Sequence, residues 1–154
     1  MIVLDTHAWI WWVADPARLS AVARKAIEKE RVRGVCAISV WELAMLIQRG
    51  RLVLDRDVAD WARDALEQPG IELLPLTPEI ALAAGGQAVD LQGDPADRMI
   101  AATALAHRAR LVTKDDRGLC FCTDPEALGI YRAKYATAAA APATAQSEAD
   151  EELK

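Results

Sequence analysis

Short apolar runs separated by stretches of helical periodicity constrain this chain more than any other feature of it. Residues 2–5 read as a strand, and residues 9–14 as a short helix ended by Pro16. "LSAVARKAIEKERV" sets Leu19, Val22, Ala23, Ala26 and Ile27 at helical spacing with its charges opposite. "GVCAIS" reads as a second strand. "SVWELAMLIQRG" reads as a helix with Ser39 at its N-cap and Gly50 just past its end. A helix over 57–67, a strand over 71–74, a helix opened by Pro78, a helix opened by Asp94-Pro95 and a strand over 110–113 follow. A strand followed by paired helices, repeated in this way, predicts an α/β domain with a four- to five-stranded, mostly parallel sheet flanked by helices. Beyond Thr113 the pattern weakens: "GLCFC" is a candidate fifth strand and "EALGIYRAKYA" a candidate terminal helix broken by Gly129.

The 154 residues suit one domain. We place it at residues 1–136. Residues 137–154 are Ala-rich, interrupted by Pro142 and acidic at the end, and read as a mobile tail because they cannot bury enough apolar area to offset the entropy of ordering. An Ala-rich helix is the alternative there. No apolar run approaches the ~20 residues of a membrane span. The start lacks a basic leader and is interrupted by Asp5, so no membrane and a cytoplasmic location are expected. Three cysteines, Cys36, Cys120 and Cys122, are an odd number, and with two histidines they lack zinc-site spacing. A net charge of −5 argues against holding long duplexes by bulk charge.

In an open parallel sheet, ligands bind beyond the carboxyl ends of the strands. Asp5 closes the first strand, and Asp115 lies two residues past the end of the strand over 110–113. Glu42 falls in the first turn of the helix after the second strand, and Asp94 and Asp97 open the helix before the fourth. Each acid also has a plain structural reading. Ser39 and Glu42 form a capping box, Asp94 before Pro95 is a natural N-cap, Asp97 suits the helix dipole, and Asp5 suits a turn. Taken together, carboxylates gathered without a compensating Lys or His repel one another. They persist where a hard divalent cation, Mg²⁺ or Mn²⁺, neutralises them.

"VLDTHAWIWW", "SVWELAMLIQRGRL", "DPADRMIAATAL" and "RLVTKDD" resemble, in order and separation, the successive blocks of PIN-domain proteins, in particular VapC-type toxins. The resemblance covers residues 1 to about 116. It implies a Rossmann-like fold and a metal-dependent endoribonuclease, the toxin of a type II toxin–antitoxin pair. Asp5, Glu42, Asp97 and Asp115 match the family's four acids, and Thr6 matches the small polar position beside the first. Asp5 and Asp97 are the implied direct metal ligands, with Mg²⁺ as cofactor and Mn²⁺ as an alternative. RNA as substrate, a small antitoxin and a homodimer are the implied partners. After Asp116 the chain departs from the family pattern.

His7 and His107 read as structural. Arg49, Arg51, Arg98, Lys114 and Arg117 lie near the acid-bearing segments, as phosphate contacts or as a solvated face. Trp41 and Trp61 are expected on core faces of their helices. Trp9 and Trp12 share a face with Trp11 turned away, which leaves tryptophan for a protein interface. Two rival functions are a non-catalytic PIN-like interaction module and a receiver-like signalling domain. The second needs an acid closing "GVCAIS" or "IELLPL", and neither has one.

Overall fold

A computed structural model describes residues 1–86 and 94–113 in full and the backbone of 120–121. The terminal helix expected in "EALGIYRAKYA", the tail over 137–154, and Asp115, Lys114 and Arg117 lie outside the described residues.

Five strands form one sheet in the order β3-β2-β1-β4-β5. They are β1 (Ile2–Leu4), β2 (Arg33–Cys36), β3 (Ile71–Leu74), β4 (Arg110–Val112) and β5 (Cys120–Phe121). The first four are parallel, and β5 pairs antiparallel with β4, with Val112 opposite Cys120. The helices are α1 (Thr6–Ala14), α2 (Ala21–Lys29), α3 (Ala37–Gln48), α4 (Val58–Leu66), α5 (Pro78–Gly85) and α6 (Pro95–Ala106), with a 3₁₀ turn at Pro16–Arg18. The α/β architecture and its mostly parallel sheet match the sequence expectation.

β1 is central and fully buried, so alternate side chains serve opposite cores. Ile2 and Leu4 join Trp9, Ile27, Val35, Leu43, Trp61 and Val112 on one face, under α1, α2 and α4. Val3 joins Leu74, Ile100, Ala104 and Leu111 on the other, under α6. α5 then packs on the outer side of α6 through Ile80, Ala84 and Ala102. The caps follow local chemistry. Ser20, Asp57, Thr77 and Asp94 each accept hydrogen bonds from amides in the first turn of the helix they precede.

Four expectations fail at α3 and α1. "GVCAIS" is not one strand, because the chain turns directly from β2 into α3 and Ala37, Ile38 and Ser39 are helical. Ser39 is therefore not the N-cap. Cys36 occupies that place without a side-chain hydrogen bond, and Ser39 is buried. α1 starts at Thr6, three residues earlier than expected, because Asp5 caps it. Trp61 is buried as expected, but Trp41 is 54% exposed. Trp9 is core, whereas Trp11 and Trp12 are half-buried under the guanidinium groups of Arg18 and Arg33.

Candidate functional site

At the carboxyl end of β1 one residue both closes the strand and starts the next helix. The Asp5 amide donates to the Val112 carbonyl at 2.8 Å, which extends the pairing with β4 by one step. Its carboxylate then accepts from the Ala8 amide at 2.6 Å, and its carbonyl accepts from the Trp9 amide. The turn expected at Asp5 is thus the start of α1, which Asp5 caps through one carboxylate oxygen. Asp5 is only 8% exposed, more enclosed than a strand-end acid open to solvent.

A capped carboxylate at this depth is tolerated because hydrogen bonds replace its lost hydration. The charge still acts on its surroundings. Burial pushes the Cys36 thiol, at the end of neighbouring β2, up to about 11; a hydrogen bond with Thr103 opposes this and the Asp5 charge adds to it.

Glu42 reaches the same place from α3. With that helix starting at Ala37, Glu42 stands in its second turn, and Ser39, inside the helix, is not the N-cap that a capping box requires. Its carboxylate instead accepts a hydrogen bond from the Thr6 hydroxyl at 2.5 Å, across 36 positions of sequence. Thr6 is the residue after Asp5 and is fully buried, so Glu42 is tied to the end of β1. Ser39, freed from capping, has a buried hydroxyl without a hydrogen-bond partner among the described residues.

Asp97 is half-buried in the first turn of α6, behind the Asp94 cap, whose carboxylate accepts from the Ala96 amide at 2.9 Å. α6 leads back into parallel β4, so its N-terminus lies at the carboxyl edge of the sheet, the same edge as Asp5. Asp97 also precedes Thr103 by six residues, about 9 Å of helix. Thr103 itself reaches the end of β2 through the Cys36 thiol. The structure thus joins Asp5 and Glu42 through Thr6 and sets Asp97 on the same edge; Asp115 lies outside the described residues.

The donor set is all carboxylate, which suits a hard divalent cation. Among the described residues no three His, Cys, Asp or Glu side chains stand close enough together to hold one. Asp5 and Asp97 would therefore complete a metal's shell with water or with acids beyond them, as Mg²⁺ commonly requires.

Next to Glu42, a shallow cavity of about 120 Å³ is walled by Trp41, Arg49, Arg51 and Asp94 as well as Glu42 itself. Trp41, expected on the core face of its helix, instead stands exposed at this cavity. A helical wheel anchored on buried Ser39 and Leu43 would have turned it outward. Arg98, another basic candidate, has a buried Nε without a partner among the described residues. His7 packs edge-on against Trp11 at 5.9 Å, consistent with a structural role. A larger cleft of about 510 Å³, between the end of α1 and α4, is lined by Val13, Val53, Trp61 and the Arg56–Asp64 ion pair.

The PIN domain family model matches residues 2–121. The chain is 42% identical over 116 residues to ribonuclease VapC22 of Mycobacterium tuberculosis, covering 75% of this chain and 88% of that protein. A toxin–antitoxin complex from Klebsiella pneumoniae shares the fold at a TM-score of 0.54 and 17% identity, over 81% of this chain and 93% of that one. VapBC2 from Rickettsia felis, bound to a DNA fragment of its promoter, does so at 0.54 and 17%, over 76% and 90%. With its strand order, its acids at the carboxyl edge and these matches, the chain belongs to the PIN-domain family, as a homologue of the VapC ribonucleases.

Proposed function

We propose that this protein is a divalent-metal-dependent endoribonuclease acting as the toxin of a toxin–antitoxin pair. The observation that carries the reading is the Thr6–Glu42 hydrogen bond, which gathers two acids from distant segments at the end of the central strand. The 42% identity to a protein named as a ribonuclease supports the RNA substrate.

In this reading Asp5 and Asp97 hold the metal, with Asp115 as the fourth acid, and the ion is Mg²⁺ or Mn²⁺. A divalent cation supplies charge neutralisation at the phosphodiester and makes the attacking water more acidic. The Ala8 amide fixes the rotamer of Asp5, and the Thr6 hydroxyl fixes that of Glu42. Glu42 keeps a second oxygen to orient the attacking water. Partial burial strengthens these contacts by excluding solvent.

A small antitoxin and a homodimer belong to the same proposal, as does a cytoplasmic location, where RNA and antitoxin are met. No helix among the described residues is long and apolar enough to cross a membrane.

Purified protein incubated with RNA and Mg²⁺ or Mn²⁺ should cleave it, and EDTA should abolish cleavage. Asp5→Asn and Asp97→Asn should each abolish it while the protein stays folded. Cleavage left intact by the double substitution would show the site to be wrong. Expression with and without the small open reading frame beside the gene tests the toxin role; growth arrest relieved by that neighbour is the expected result.

A further inference from the structure

The five tryptophans divide by what covers them. Trp9 and Trp61 pack edge to face at 5.4 Å in the core. Trp11 lies under the Arg18 guanidinium at 4.8 Å and Trp12 under that of Arg33 at 5.2 Å. Trp41 has neither a ring nor a cation over it among the described residues, and it is the most exposed of the five. It lies two positions from both Ser39 and Leu43, about 200° around α3, and so faces away from the stripe those two residues bury.

The end of α3 brings charge to this aromatic face. The Arg51 amide donates to the Leu46 carbonyl and the Gly50 amide to the Ile47 carbonyl, each at 2.9 Å, with Gly50 at φ +64°. This Schellman turn folds the chain back over the helix end, so that Arg49 and Arg51 line the same cavity as Trp41. Both are exposed, and neither makes an ion pair or side-chain hydrogen bond among the described residues, unlike Arg56, Arg63 and Arg110. The cavity's two acids are engaged, Glu42 by Thr6 and Asp94 by the Ala96 amide. Both keep their charge, but each is held by a donor of its own, while Arg49 and Arg51 stand exposed beside the flat ring of Trp41, with room for one planar base rather than a partner's helix.

We propose that this cavity is a nucleotide subsite: Trp41 stacks one base of single-stranded RNA, and Arg49 and Arg51 bind the phosphates flanking it. The strand then lies with a neighbouring phosphodiester at Glu42 and Asp5. The subsite rests on the ribonuclease reading, and its test is kept separate from catalysis.

A short, fluorescein-labelled, random-sequence single-stranded RNA is titrated into the full-length protein in EDTA, with anisotropy and tryptophan emission recorded. RNA should quench part of the tryptophan emission in the wild type, and Trp41→Phe should remove that quenching while keeping most of the affinity. Trp41→Ala should weaken binding about 5- to 150-fold. Arg49→Gln and Arg51→Gln should each lower the salt slope of log affinity by about 0.7. Unchanged affinity and quenching in Trp41→Ala would overturn the proposal, as would a wild type that does not bind the RNA. So would a Trp41→Ala variant that binds RNA normally but loses self-association or antitoxin binding, which would assign the face to a protein. Cleavage by the wild type alongside a neutral Trp41→Ala refutes the subsite alone, whereas absence of any cleavage refutes the ribonuclease reading.

Discussion

Thr6→Val removes one hydroxyl and almost no volume, and it isolates the contact on which the site depends. Thr6 is 1% exposed, and its hydroxyl donates to the Glu42 carboxylate at 2.5 Å. Valine has the same branching and the same constraint at the first position of α1, so neither a cavity nor a helix-propensity change complicates the comparison. A hydrogen bond to a charged acceptor contributes about 1.5–3 kcal/mol. Glu42 is half-buried, so water replaces part of the lost interaction, and the lower half of that range, about 1.5–2 kcal/mol, is expected. For a domain of this size about 2–4 °C of Tm accompanies each kcal/mol, which gives a fall of about 3–8 °C. Cleavage should fall further than stability at a temperature where the variant is folded, through kcat more than KM, because Glu42 loses its fixed rotamer. Thr6→Ser restores the hydroxyl and should recover most of the cleavage, although it loses a buried methyl group. A double-mutant cycle with Glu42→Gln should show the coupling directly. If Thr6→Val is as stable and active as the wild type, or Thr6→Ser is as impaired as Thr6→Val, the hydroxyl does not position Glu42.

Three further outcomes follow from the same structure. Glu30 accepts from the Met1 ammonium at 2.8 Å and from Arg110 at 2.5 Å, and these bonds hold its carboxyl below the ordinary range. Its contribution is therefore complete above the unfolded value of about 4.5 and is lost as pH falls through the lower folded value; Glu30→Gln should cost under about 1 kcal/mol at neutral pH in urea unfolding and remove this acid-side loss. Gly50→Ala meets no steric obstacle but forces alanine to φ +64°, and should lower stability by about 1 kcal/mol in the same assay, with Gly50→Asn intermediate. Cys36 is 1% exposed with its thiol pushed up to about 11, so in the native protein at about pH 8 it should resist iodoacetamide and react only on unfolding, as peptide mass mapping would show.

Where local chemistry marks an element's ends, the sequence reading agrees with the structure. Ile71–Leu74 is bounded as expected, because a Pro-Gly step precedes it and Pro75 follows. α6 begins at Pro95 because Asp94 caps it and proline suits its first position. The error at β2 has an equally local cause. From Val35 to Val40 there is no Gly, Pro, Asn or Asp, and Cys-Ala-Ile fits a strand as well as a helix. Ser39 offers a plausible cap three residues too late, which puts Glu42 in a first turn it does not occupy. Trp41 was misplaced because apolar character alone does not say which side of α3 meets the core.

The sequence by itself determined the order of strands and helices, the parallel sheet they build, and the placement of acids at strand ends and helix starts. Periodicity, caps and prolines act over a few residues, and a parallel sheet then delivers its strand ends to one edge. Only the tertiary structure decided that Glu42 answers to Thr6 rather than Ser39, that Asp5 is both cap and enclosed acid, and that Trp41 faces outward beside Arg49 and Arg51. Those facts depend on how α1, α3 and α6 settle around the end of β1, and a contact across 36 residues leaves no trace in local spacing.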